Sequence, residues 1–309
     1  MKLSILLVCY NQQEFIDECI EGILIQQTNE PFELIIADDC STDTTVDQIR
    51  AKLEGQKFEV NFLETEKNLG LGPNYRRGIE ACNGEFVALL EGDDYWTDPL
   101  RLQKHISFLE KNPLCPMSFN LYGIYRQNTG TLTVPSPHGD SKFDYYTSKT
   151  LIQYNVIGNL STCVLRKSAL DQIPKSHFDY DITDWFIGIF LAQNHPVAQL
   201  KEVMSVYRIN DKGLWSRSSR EVQIRRKEEV SKFYDYLLDY RYATDFLAFR
   251  LASQIKSWRD RKLSGTSNLI QVLLKKILSQ GIIIRLSLVI AALSWGKARH
   301  KYPKLDNGV

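Results

Sequence analysis

The chain has 309 residues, of which 43% are hydrophobic, and its 38 Lys/Arg and 37 Asp/Glu leave a net charge of +1. That length suits one large α/β domain with an appendage, or two domains, and the overall neutrality argues against a protein that holds nucleic acid by bulk basicity. The balance is uneven, however: from Lys256 to the end stand eleven Lys/Arg and two Asp/Glu, so a basic tail follows a mildly acidic body. Such a tail is suited to an anionic surface. The six cysteines, at 9, 19, 40, 82, 115 and 163, have no CxxC spacing and lie mostly in apolar segments. They are expected to be reduced thiols of a cytoplasmic protein. The N-terminal residues lack the charged, apolar and cleavable regions of a signal peptide.

In chain order, Leu3 to Tyr10 is a continuous apolar run, predicted to be a central strand ending at Asn11. Gln13 to Gln27 has Phe15, Cys19, Ile20, Ile23 and Leu24 near helical spacing. A second strand, Phe32 to Ala37, ends in Asp38-Asp39, and Cys40 to Thr45 form a turn before a helix over Val46 to Leu53. Val60 to Leu63 is a short strand. Asn68 to Pro73 reads as a loop, Asn74 to Cys82 as a helix, and Asn83-Gly84 as a turn into Phe86 to Leu90. This alternation predicts an α/β fold with a Rossmann-like, mostly parallel, doubly wound sheet, whose ligands bind at the carboxyl edge.

The run Phe86 to Leu90 stops at Glu91-Gly92-Asp93-Asp94, three acids in four positions. Carboxylates this close repel one another unless a cation lies between them. Hard ions such as Mn²⁺ or Mg²⁺ take oxygen ligands and bridge to phosphates, so the segment is a candidate metal–diphosphate turn; an acidic loop or helix cap is the plain alternative. No GxGxxG follows the first strand, Gly70 and Gly72 make only a lone GxG, and no Walker A sequence is present.

Further on, Leu100 to Lys111 is predicted helical and Met117 to Tyr125 a strand, with a Thr/Ser/Pro/Gly-rich hairpin or loop over 127–150 that can lie over the site. Asp184-Trp185 opens an apolar helix with Phe186, Ile187, Ile189, Phe190 and Leu191. From Glu221 the chain is expected to be helical. Gly281 to Trp295 is apolar but short and interrupted by Arg285, with basic flanks. It suits an anionic membrane surface, a second subunit, or the catalytic domain itself.

Five pieces in order resemble the inverting family 2 glycosyltransferases of the GT-A fold: Val8 to Asn11, Ala37 to Asp43, Lys67 to Gly70, Asn83 to Phe86, and Glu91 to Pro99. The likeness implies a catalytic domain over 1–216, with a nucleotide-binding half to 110 and an acceptor-binding half from 111, and a helical extension over 217–309. It implies that Asp39, beside Asp38, reads the base of a nucleotide sugar, a UDP-sugar first, with Tyr10, Asn11 and Asn68 around it and Arg77 near the diphosphate. Glu91 and Asp93 would take the ribose and metal roles of the family's DxD motif, with Asp93 and Asp94 as metal ligands. Ser161 and Thr162 would touch the sugar or merely build the strand edge, and Asp184 would be the catalytic base or else only a helix cap, with Trp185 beside it and Asp181 in reserve. Arg208, Asn210, Lys212 and Trp215 would belong to a closing loop. Three residues depart from the family pattern: Glu91 for Asp, Thr183 for an acid, Asn210 for His. They leave open a nucleotide-binding scaffold without transfer activity. Otherwise the implied function is transfer to a glycan or lipid-linked acceptor in cell-surface polysaccharide synthesis, on the inner face of the plasma membrane.

Overall fold

The computed structural model describes residues 2–261 except 138, 181–182 and 211–219. The chain divides into two compact units, Met1–Gly213 and Leu214–Val309.

In the first unit, strands β1 (Leu3–Cys9), β2 (Phe32–Asp38), β3 (Glu59–Phe62) and β4 (Phe86–Glu91) alternate with helices α1 (Ile16–Leu24), α2 (Thr45–Leu53) and α3 (Leu71–Ala81). There follow β5 (Tyr95–Trp96), α4 (Arg101–Lys111), β6 (Met117–Arg126), β7 (Thr131–Thr133), β8 (Phe143–Tyr146), α5 (Ser148–Gln153), β9 (Cys163–Arg166), α6 (Lys167–Leu170), α7 (Asp184–Leu191) and β10 (Val197–Ile209). All seven residues of β1 are buried, as a strand covered on both faces requires. One ten-stranded sheet runs β3-β2-β1-β4-β9-β6-β10-β5, with β7 on β6 and β8 on β10. The pairs β1–β2, β2–β3, β1–β4 and β6–β10 are parallel, and β9 is antiparallel to both β4 and β6. Thus β1 to β4, β6 and β10 all point the same way. Their carboxyl ends, from Cys9 to Ile209, share one edge, where a doubly wound sheet binds its ligands.

Two boundaries and one loop differ from the sequence expectation. Helix α1 starts only at Ile16, because the Gln12 carbonyl accepts the Phe15 and Ile16 amides and makes a separate turn first. Helix α3 takes in Leu71 to Pro73, which read as loop; proline is tolerated in a first turn, where its missing N–H has no partner to lose. The 127–150 stretch is not one flap over the site. Its β7 pairs with the carboxyl end of β6, whereas β8 pairs with Val197–Leu200 at the amino end of β10, on the far edge. Phe143 of β8 packs on Phe108 with ring centroids 5.1 Å apart, aromatic contact outweighing the polar composition around it.

The second unit contributes α8 (Arg220–Leu237) and α9 (Ala243–Arg261). Tyr234 and Phe246 are fully buried there, and Arg250 pairs with Asp235 at 3.7 Å. Among the described residues no helix is long and apolar enough to cross a membrane. Expectations for Asp181, Lys212, Trp215 and the apolar stretch Gly281 to Trp295 lie outside the described residues.

Candidate active site

Where β1 and β2 end, polar side chains shape the backbone of the edge. Asn11 adopts the left-handed conformation (φ 51°), which asparagine tolerates. Its amide donates to Ser41 Oγ at 2.9 Å and its side-chain oxygen accepts from Thr42 N at 2.8 Å. Asp38 accepts from the Ser41 amide and hydroxyl and from Cys9 Sγ, so its carboxylate is a turn brace. Asp39 is buried, and its two oxygens accept the Leu69 and Gly70 amides at 2.7 and 2.9 Å. It therefore holds the turn that leads into α3, in which Asn68 caps Gly70 N at 3.1 Å. Tyr10, directly after β1, is 44% exposed. Arg77, expected at the diphosphate, donates instead to Asn74 Oδ1 and to the Leu63, Glu64 and Asp38 carbonyls. Its rigid fork suits that bracing of strand ends.

The acidic turn is the second component. Glu91, Asp93 and Asp94 each offer an oxygen within 4.8 Å of the others. Burial pushes all three carboxyls upward; the neighbouring Asp93 charge adds to this at Glu91, which is raised to about 7, and Asp94 is raised further by both neighbours. Their environments differ. Asp94 is buried, with one oxygen accepting from Arg208 N at 2.9 Å and the other from Ser161 Oγ at 2.7 Å. It ties β10 to the turn. Asp93 accepts from Asn210 Nδ2 at 3.1 Å, and Glu91 from the Tyr75 hydroxyl at 2.7 Å. An all-carboxylate set is the chemistry that Mg²⁺ or Mn²⁺ selects, so these residues fit such an ion, with Asp93 and Glu91 nearest to open coordination.

Four residues of the expected sugar and lid set hold protein partners. Ser161 and Thr162 are buried: Ser161 Oγ bridges Asp94 and the Glu91 amide, and its carbonyl accepts from Trp96 Nε1 and Arg101 Nη2. Thr162 bonds back to the Asn159 carbonyl at 2.9 Å. Trp185 is buried with its indole N–H on the Leu151 carbonyl at 2.7 Å, as part of the core behind Asp184. Arg208, expected in a closing loop, is buried among Phe15, Tyr95 and Tyr125 and donates to the Asp93 carbonyl, Gln127 and Glu18. In each case the polar atoms meet protein partners, as buried polar groups must.

Asp184 is the first residue of α7. Its carboxylate accepts from Asn155 Nδ2 at 2.7 Å, and its charge reaches Glu91 and Tyr122. Thr183, in the place of an acid, caps the helix through Trp185 N. Sequence reasoning missed Tyr75, Asn155 and Tyr122, and gave no role to Tyr207, which precedes Arg208 in the expected closing loop. Tyr122 and Tyr207 meet edge to face at 6.3 Å, and the pair faces the acidic turn; burial and the Asp94 charge lift both phenols. Nothing in their local patterns distinguishes them from ordinary strand and helix residues.

A mostly parallel sheet with an acidic turn at the carboxyl end of its fourth strand defines the GT-A class of fold. The chain matches Glycosyl transferase family 2 over residues 4–173 and belongs to that family. An uncharacterized protein of Mycobacterium tuberculosis is 34% identical over 219 residues, which are 69% of this chain and 60% of that protein; the match thus spans less than two thirds of that relative's length. TuaG of Bacillus subtilis, a glycosyltransferase named for teichuronic acid biosynthesis, is 26% identical over 67% of this chain and 79% of its own. Among solved structures, Staphylococcus aureus TarS 1–349 in complex with UDP-GlcNAc superposes with a TM-score of 0.62 at 21% identity, covering 83% of this chain and 73% of TarS. The mannosyltransferase PcManGT of Pyrobaculum calidifontis, with GDP-Man and Mn²⁺, gives 0.55 at 15% identity, over 96% of this chain and 88% of its own. These likenesses establish the fold.

Proposed function

We propose that the chain transfers a sugar from a nucleotide-sugar donor, a UDP-sugar first, to a hydroxyl of a glycan or lipid-linked acceptor, with inversion. The observation that carries this reading is the convergence of Asp39, the Glu91–Asp94 turn and Asp184 on one sheet edge. Asp39 retains lone pairs beyond the two amides it accepts and can take the imide N–H of uracil. Asp93, with Glu91, would hold a divalent ion, which when bound neutralises charge on the departing diphosphate. Asp184 would accept the proton of the acceptor hydroxyl as that oxygen attacks the anomeric carbon; Asn155 orients its carboxylate for the task. Inversion needs a single displacement, so no covalent enzyme intermediate enters. UDP-GlcNAc in TarS and teichuronic acid synthesis in TuaG support a cell-surface polysaccharide as the setting.

A thermal-shift panel of UDP-, GDP- and dTDP-sugars with Mn²⁺ tests the donor, since a ligand of the native state raises its Tm. Asp184→Asn should lower product formation by about 10²–10⁴-fold, the range for a lost general base, while UDP affinity stays near wild type. Full turnover in that variant would remove Asp184 from the role.

A further inference from the structure

Helix α3 and the turn before it reach two parts of the site, the Asp38–Asp39 strand end and Glu91. Towards the sheet, Asn74 Nδ2 donates to the Ala37 carbonyl, Arg77 braces Asp38, and the Tyr75 hydroxyl reaches Glu91. At its start, the Leu69 and Gly70 amides sit on Asp39. A different stripe, Gly72, Arg76 and Glu80, is spaced i, i+4, i+8 and so lies along one face. All three members meet the single-turn segment Lys175–Asp179 and the residue after it. A Cβ on Gly72 would lie 2.3 Å from the carbonyl oxygens of both Phe178 and Tyr180, so only glycine lets the segment come this close. Arg76 Nη1 pairs with Asp179 at 2.5 Å, and Glu80 with Lys175 at 2.7 Å. Asp179 stands five positions before Asp184.

We propose that the Gly72/Arg76/Glu80 face of α3 is a positioning surface for the base-bearing segment, with Arg76–Asp179 as its charge lock. The helix that frames the nucleotide pocket then also sets where Asp184 stands. Arg76 and Asp179 are positioning residues: they act on the acceptor proton only through the placement of Asp184, and the inference rests on the reading of Asp184 as base. Two half-exposed charges contribute little to global stability, so their removal isolates placement from folding.

The test uses the full chain with Arg76→Gln, Asp179→Asn and the double variant. Turnover is followed as UDP release from UDP-GlcNAc with Mn²⁺, UDP affinity by calorimetry, and exchange of the 183–191 amides by mass spectrometry. Each single variant should lose about tenfold in kcat, a modest share of what a 1 Å misplacement can cost. Donor KM and UDP affinity should stay within about twofold, since the pocket groups are untouched. The double variant should lose no more than either single, because both break one contact. Exchange over 183–191 should quicken by about fivefold in all three, with 69–75 unchanged, as a locally loosened element requires. Wild-type turnover in a single variant, multiplied losses in the double, UDP affinity falling in step with kcat, or unaltered exchange over 183–191 would each overturn the proposal. If wild-type chain releases no UDP, the donor assignment has failed separately, and the exchange measurement alone decides.

Discussion

Asp93 and Asp94 are neighbours in sequence with different tasks. Asp94 already satisfies both oxygens with Ser161 and Arg208, whereas among the described residues the side-chain donor to Asp93 is Asn210. Asp94→Asn must turn an amide N–H towards a donor, and is expected to destabilise the chain by about 1–3 kcal/mol in chemical denaturation. Asp93→Asn should instead leave stability without Mn²⁺ unchanged or raised, by relieving repulsion, and abolish the Tm rise that Mn²⁺ produces. Glu91 adds a pH dependence. Its carboxyl stands at about 7 in the fold against an ordinary 4.5, so the folded chain prefers it protonated. Stability without metal should therefore fall as pH rises through that interval. Because an ion binds the deprotonated acids, the Mn²⁺-induced Tm rise should be larger at about pH 8 than at about pH 6; an equal rise would remove Glu91 from the ion's surroundings. The acids themselves were legible, since a buried strand that stops in three adjacent carboxylates needs a cation or hydrogen-bond donors to offset their repulsion. The tasks of Ser161, Trp185 and Arg208 were not, because a serine that touches sugar and one that bridges a carboxylate and an amide look alike until the partner is known.

Strand and helix periods were the readable elements. Apolar runs separated by amphipathic helices gave β1 to β4 and α1 to α3 in the right order, with errors of a few residues where a turn or a proline moved a boundary. Element β8 was hidden, as its aromatic residues are set in polar surroundings and its partner, β10, follows it by some fifty positions. Close approach between elements was equally silent in the sequence. A Cβ on Gly92 would lie 2.1 Å from Gln12 Oε1, at the point where the acidic turn packs on the segment before α1. Gly92→Ala should therefore cost about 1–3 kcal/mol by overpacking. Adding Gln12→Ala should recover part of that loss in a double-mutant cycle; strictly additive losses would place the strain at Cys9 Cβ and Ile16 Cδ1, 3.0 and 3.1 Å from the same point.

For the whole molecule, the common direction of β1 to β4, β6 and β10 explains how residues as far apart as Asn11 and Asn210 come to one edge. A topology of this kind follows from the alternation of elements, but the antiparallel β9 inserted between β4 and β6 does not, since a four-residue strand carries no sign of its orientation. Charge acts at the same scale. The eleven Lys/Arg from Lys256 onward against two acids predict that the full chain sediments with vesicles containing anionic lipid at low ionic strength. Release should follow as the ionic strength approaches about 0.15 M and screening shortens to about 8 Å. Equal sedimentation with neutral vesicles would instead point to apolar insertion.

The hydrogen bond from Tyr75 to Glu91 has a consequence for the history of the site. The extra methylene of glutamate carries its carboxylate to a phenol anchored on α3, and an aspartate at the same place would stop short of it. The two positions should therefore change together among relatives. Chains with aspartate at the equivalent of Glu91 should seldom keep tyrosine at the equivalent of Tyr75, and an alignment deep enough to count such pairs would show whether one acid was exchanged for the other alone or with its anchor.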